Sequence, residues 1–148
     1  YTKPTDREFI DRLEATKPTT KDELNKAWFG SYTPNPAHYD SHRYRGLNLN
    51  NVWRTGTAEL RIYNGVNHAG VVKANILLAM ALAAKALTAK CASTKKPREY
   101  SETSAKYDFR VLLLHLGMNG AEFKNTRMHL LKNLPGSSAW KNGRPEGR

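Results

Sequence analysis

Two short runs between Arg43 and Asn64 alternate apolar and polar residues with period two: Leu47-Asn48-Leu49-Asn50 and Ala58-Glu59-Leu60-Arg61-Ile62-Tyr63. Such alternation suits a strand with one buried face, because successive side chains of a strand point to opposite sides. The pattern predicts two antiparallel strands joined by a turn centred on Arg54-Thr55. Leu47, Leu49, Leu60 and Ile62 then share one face, while Asn48, Asn50, Glu59, Arg61 and Tyr63 share the other. In that register Asn50 lies opposite Glu59 and Asn48 opposite Arg61. Two amides, a carboxylate and a guanidinium on one face differ from the Thr, Lys and unpaired Glu of an ordinary outer face, and read as a site. The same alternation also describes a solvated polar face, and periodicity leaves both readings open.

Helix signals flank the hairpin. Thr5-Asp6-Arg7-Glu8 and Thr20-Lys21-Asp22-Glu23 both have the Thr-x-x-Glu form of a capping box, in which hydroxyl and carboxylate satisfy free amides at a helix start. They predict a helix from about Asp6 to Ala15 that buries Phe9, Ile10 and Leu13, and a second through Leu24, Ala27 and Trp28 to Gly30. Capping explains most of their polar residues, so residues 1–30 read as scaffold. After the hairpin, Asn67 is a candidate cap for a long helix of strong helix formers within residues 70–90. Lys73, Asn75 and Lys85 interrupt its apolar run, and its length is marginal for a bilayer, which favours a core helix over a membrane partner. Val72, Ile76, Met80, Ala83 and Leu87 form its predicted ridge against the apolar face of the hairpin.

Residues 92–103 read as a polar linker carrying the tight basic cluster Lys95-Lys96-Pro97-Arg98. Two more helices follow within 104–134. Ser104 caps the first, over Ala105–Leu116, with Tyr107, Val111, Leu112, Leu114 and His115 near the core and Gly117 at its end. Asn119 opens the second, which Pro135-Gly136 stops. Residues 135–148 are a tail anchored by Trp140. The fold class is therefore α+β, an antiparallel hairpin at 43–64 packed against several α-helices, as a single domain or the carboxyl-terminal part of a larger one.

Between Gly30 and the hairpin, Pro34 and Pro36 forbid regular structure. This loop delivers His38, Tyr39, Asp40, His42, Arg43, Tyr44 and Arg45. His38, Asp40 and His42 are closely spaced, but a zinc site needs further Cys or His ligands at set distances and none follows. Arg43 and Arg45 are better candidates for contacting a ligand, since guanidinium groups pair with phosphate oxygens and stay charged when desolvated. Parity puts both on the Leu47 side, so a loop or bulge before Gly46 has to swing one of them into the polar face.

A formal net charge of +11 over 148 residues points to a polyanionic partner: nucleic acid, an anionic membrane or a phosphate-bearing nucleotide. No recognition helix, finger or aromatic-sheet motif accompanies the charge, which counts against nucleic acid as the main partner. Glycine-rich phosphate loops of the Walker or dinucleotide type are absent from the sequence. The single cysteine, Cys91, excludes an internal disulfide and fits a reducing, cytoplasmic compartment. The chain opens without Met or a signal pattern and reads as a piece of something longer.

The order LNLNNVWRTGTAELRIYNG, then His68-Ala69-Gly70 and an Ala/Leu helix, resembles the amidoligase family of ATP-dependent carboxylate-amine ligases, relatives of glutamine synthetase. Their hallmark is a strand reading Thr-x-Glu-(apolar)-Arg ahead of a helix, here Thr57-Ala58-Glu59-Leu60-Arg61. KPTTKDELNKAWFG, HYDSHRYRGLNL and EFKNTRMHLLKNLPGSSAW are similar to the carboxyl-terminal part of a phage or plasmid type of amidoligase. The resemblance implies a hairpin belonging to a glutamine synthetase-like sheet. It also implies amide formation between a carboxylate and an amine, small-molecule or peptide, through an acyl phosphate made from ATP with Mg2+. Glu59 is then a metal ligand and Arg61 holds the transferring phosphoryl group. Asn48 and Asn50, on parity alone, orient substrate or the ligand shell, and Arg43 or Arg45 neutralises a phosphate. Thirteen acidic residues, mostly at helix starts, supply few further ligands for Mg2+, so the amino-terminal portion of such an enzyme is an expected partner. The rival reading is a basic nucleic-acid-binding or non-catalytic scaffold module.

Overall fold

The second predicted capping box forms in full. The Thr20 hydroxyl accepts the Glu23 N–H at 3.2 Å, and the Glu23 carboxylate takes the N–H groups of Thr19 and Thr20, starting α2, Lys21–Phe29. The first box does not form. Asp6, a better cap than Thr, accepts from Glu8 N–H and starts α1, Arg7–Thr16. The structure, a computed structural model, describes residues 2–91, 99–143 and 145. It divides into two compact units, Tyr1–Asn64 and Gly65–Arg148.

In the first unit α1 and α2 pack through Phe9 and Trp28, whose rings meet edge to face at 4.8 Å. Leu13, Leu24, Phe29, Leu49 and Trp53 close around them. Arg12 Nε–H donates to Ala27 O at 2.6 Å and ties α1 to the end of α2. Buried Asn25 exchanges two hydrogen bonds with the Thr33 backbone, at 2.8 and 2.6 Å, which folds the loop after Gly30 back onto α2. Within this unit the Trp28 cluster is what supports the hairpin.

The hairpin is shorter than the alternation implies. β1, Leu47–Asn48, pairs antiparallel with β2, Glu59–Leu60, setting Leu47 opposite Leu60 and Asn48 opposite Glu59. The predicted partners, Asn48 with Arg61 and Asn50 with Glu59, are therefore corrected by a slip of two residues. An even slip keeps each side chain on its predicted face. The cause is local: Asn48 Oδ1 accepts the Asn50 N–H at 3.0 Å, a side-chain bond that draws the backbone out of the ladder. Asn50–Val52 then makes a 3-10 turn, and Asn51 O collects the N–H groups of Arg54, Thr55 and Gly56. On the other flank Lys3 pairs in parallel with Arg45, and the Thr2 hydroxyl donates to Arg61 O at 2.5 Å.

The second unit consists of α3, Ala69–Thr88, α4, Ala105–His115, and α5, Lys124–Leu131, with α5 against both of the others. Its buried apolar residues are Ala74, Leu78, Leu113, Met118 and Leu131. The predicted ridge of α3 is corrected: Val72, Ile76, Met80 and Leu87 are exposed, Leu87 by 87%. A helix apolar on most sides carries little phase information. The packed side is the one where small residues admit α5, since a Cβ on Gly70 would stand 2.5 Å from His129 Nε2. By length and composition α3 could cross a membrane, and only 11% of its most apolar window is buried.

Similar ambiguity explains α4, where Leu113 is the buried member of three successive leucines while Leu112 and His115 are exposed. His68, not Asn67, caps α3, its Nδ1 accepting Gly70 N–H at 3.1 Å. α5 begins at Lys124 rather than Asn119, because Arg127 reaches back to Met118 O and Gly120 O, at 2.7 and 3.0 Å, and holds that stretch as turns. Trp140 is 46% exposed and does not anchor the tail. The Lys95–Arg98 cluster lies outside the described residues.

Gly117 and Gly136 both have left-handed φ, +81° and +83°, but only at Gly136 would a Cβ run into backbone, at Thr103 O. Gly117→Ala should cost about 1 kcal/mol, and Gly136→Ala distinctly more because the backbone must move. Urea unfolding of the two variants measures the difference.

Candidate functional site

Asn48 and Glu59, paired across the strands, meet side chain to side chain. Asn48 Nδ2–H donates to Glu59 Oε2 at 2.8 Å, and Arg61 Nη1 lies 3.8 Å from the same oxygen. Three residues predicted on one face thus converge on one carboxylate oxygen. The Asn48 side chain is buried, that of Glu59 is 47% exposed and that of Arg61 22%. Arg61 is anchored through its backbone N–H, which donates to Gly46 O at 2.7 Å. Its guanidinium stands over the Tyr44 ring at 5.4 Å. Nη1 is buried without a hydrogen-bond partner, so the ion pair with Glu59 leaves one of the guanidinium donors unsatisfied. The Tyr63 hydroxyl, predicted for the same face, is also buried without a partner, and burial raises its pKa, which keeps it a neutral donor.

Asn50 is drawn away from this group. Its Oδ1 accepts the indole N–H of fully buried Trp28 at 2.9 Å, making Asn50 a strut between α2 and the hairpin. Nδ2 makes no hydrogen bond of good geometry, yet it lies where it favours the ionised Asp40. Asp40 caps the 3-10 helix Ser41–Tyr44, accepting the His42 N–H at 2.8 Å, and its Oδ1 sits 2.6 Å from His42 Nδ1. Burial acts to raise the Asp40 pKa, but the hydrogen bonds and charge of His42, with Asn50, outweigh it and leave the pKa lowered.

The two arginines of the loop part company. Arg45 turns inward, pairs with Asp6 through Nη2 at 2.7 Å and stacks over Trp28 at 4.6 Å. It is 8% exposed, and burial, opposed by the Asp6 charge, lowers its pKa. Arg45 also lines a hollow of about 450 Å³ with Lys3, Thr5, Asp6, Ser41 and His42. Arg43 turns outward. Its Nη1 donates to His38 O at 2.7 Å and its guanidinium lies over Tyr39 and Tyr44, at 5.4 and 5.8 Å. Tyr44 is thereby shared between Arg43 and Arg61. Tyr44 belongs to the Arg-, Tyr- and His-dense loop that the sequence marks out, whereas Arg54, in the turn between the strands, joins His38 only through the fold.

The donor set bears on a metal. Among the described residues no group of three or more His, Cys, Asp or Glu could hold an ion, so no closed cage is present there. A single hard carboxylate oxygen beside an arginine does suit Mg2+ carried by a polyphosphate, because Mg2+ keeps several waters and takes one or two carboxylates plus phosphate oxygens. Glu59 fits as one such ligand.

Asn48→Asp keeps the acceptor for the Asn50 N–H but sets a second carboxylate against Glu59. It should cost about 1–3 kcal/mol at neutral pH, and the loss should shrink when both carboxyls are protonated, as read by urea unfolding at pH 7 and near pH 3.5. Because the folded pKa of Asp40 is depressed, its contribution to stability is complete above the ordinary Asp value of about 3.9 and disappears as pH falls through the lowered one. Asp40→Asn should therefore flatten the acid limb of the stability profile followed by circular dichroism.

Residues 1–83 match the model of a family described as "putative amidoligase enzyme". No curated protein and no solved structure matches the chain significantly. The family match contains Asn48, Glu59 and Arg61 and does not extend to residues 122–140. Covering more than half of the chain, it shows that the protein belongs to the amidoligase family of ligase-type enzymes.

Proposed function

We propose that the chain serves an ATP- and Mg2+-dependent ligase that joins a carboxylate to an amine. The supporting observation is the Glu59 carboxylate held between Asn48 and Arg61 on the Thr57–Arg61 segment, within the part of the chain that matches the family. In such a reaction ATP with Mg2+ would supply its terminal phosphoryl group to the carboxylate, with ADP leaving, and the amine would displace phosphate from the resulting acyl phosphate and give up a proton to form the amide.

The residues of this chain have distinct tasks in that reading. Glu59 offers a hard oxygen to the metal-nucleotide. Asn48 restricts the Glu59 rotamers by its 2.8 Å hydrogen bond, so the oxygen is positioned before any ligand arrives. Arg61, with a buried donor unused, binds a phosphoryl or carboxylate oxygen and stabilises the charge that builds up there. Arg43 extends positive charge outward past Tyr44 and serves a further phosphate, whereas Arg45 acts from beneath by fixing Asp6 to the hairpin. Asn50 orients the site at one remove, through Asn48. One carboxylate does not saturate Mg2+, so other ligands come from a companion segment of the enzyme, and the single exposed thiol, Cys91, suits a reducing cytoplasmic setting.

Glu59→Gln preserves shape and an oxygen acceptor for Asn48 but removes the charge. In the intact enzyme, companion segment included, phosphate release from Mg-ATP in the presence of carboxylate and amine mixtures should fall by at least about 100-fold, while the midpoint of thermal unfolding stays nearly constant. Turnover equal to that of the unaltered protein removes Glu59 from the site.

A further inference from the structure

The outer surface of the loop that feeds β1 gathers more cationic and aromatic groups than a ligase site at Glu59 uses. His38 is its centre. Its carbonyl accepts from Arg43 Nη1 at 2.7 Å, and its Nδ1 lies 2.7 Å from Arg54 Nη1. Because a guanidinium only donates, His38 Nδ1 is the acceptor in that bond. One residue therefore holds two guanidinium groups that are eleven positions apart in sequence at a common place. Tyr39 meets the His38 ring edge to face at 4.7 Å and carries Arg43 over its own ring. The Tyr44 ring is approached by both Arg43 and Arg61, at 5.8 and 5.4 Å. Tyr39 is 78% exposed, and His38 and Arg54 are exposed as well. Of the nearby carboxylates, Asp40 is turned to His42 and Glu59 to Asn48.

We infer that this strip, Tyr39, Arg43, Tyr44 and Arg54 around His38, is a binding surface for single-stranded nucleic acid, with bases stacked on the tyrosine rings and phosphates on the guanidinium groups. Alternating aromatic and cationic groups on an open surface are what a flexible polyanion with exposed bases needs. A duplex hides its base faces and leaves Tyr39 unused. A mononucleotide is held in a concave site that buries most of its surface, whereas Tyr39 stands almost free. The net charge of +11 steers such a ligand to the chain. The inference does not rest on the ligase reading, and it is tested without ATP.

The experiment is fluorescence anisotropy of the intact chain with dye-labelled oligo-dT and oligo-U. Saturable binding that weakens with salt is expected. Tyr39→Ala should weaken it roughly tenfold while Tyr39→Phe retains it, since the ring face is what matters. Arg54→Gln should weaken it a few-fold and reduce the slope of log K against log salt by about 0.7. Lys85→Gln, an exposed lysine on α3, should change little. The inference is overturned by equal losses in Lys85→Gln and Arg54→Gln, by undiminished binding in Tyr39→Ala, or by a duplex of the same length binding as tightly.

Discussion

A buried indole N–H has to be paired, and in this chain its partner decides the geometry of the site. Trp28, without exposed surface, donates to Asn50 Oδ1; the Asn50 N–H is accepted by Asn48 Oδ1; and Asn48 Nδ2–H is then left to face Glu59. The Asn48 amide has one orientation that satisfies both neighbours, so the network sets it. Three hydrogen bonds in series connect the aromatic core of the first unit to a half-exposed carboxylate. The same series ends the β-ladder after Asn48 and bends the chain into the turn at Asn50–Val52.

The basic charge of the chain is divided between two tasks by burial. Arg45 sits over Trp28 with Asp6 as counter-ion and works as packing, a use open to a weakly hydrated planar cation. Arg43 and Arg61, which share the Tyr44 ring, are only partly buried and hold their charge nearer the surface. A formal charge of +11 therefore overstates what is available to a ligand. It says nothing of which guanidinium groups are tied up by carboxylates and rings.

The second unit makes a related point about apolar residues. α3 consists largely of Ala, Leu, Val and Ile, yet only Ala74 and Leu78 are buried within it, and much of its apolar surface is exposed. Composition alone could not reveal which side would pack. At the start of the helix the choice falls to a small residue, because Gly70 lets His129 of α5 come close where a larger side chain would hold it off.

Much of the architecture was legible from the chain alone. Capping at Thr20, the break at Gly30, the α+β class, the shared face of Asn48, Glu59 and Arg61, and the family all follow from signals confined to a few neighbouring residues. What the tertiary structure decided was where competing local choices fell: the ladder register, the removal of Asn50 to the core, the inward turn of Arg45 against the outward turn of Arg43, and the packed faces of α3 and α4. The register follows from a local bond, Asn50 N–H to Asn48 Oδ1, and Arg43 is held by nearby His38, whereas the others depend on partners distant in sequence, Trp28 for Asn50, Asp6 for Arg45, His129 for Gly70. A period of two or of 3.6 tells which residues share a side; which side is buried is set by whatever long-range partner satisfies or fills it.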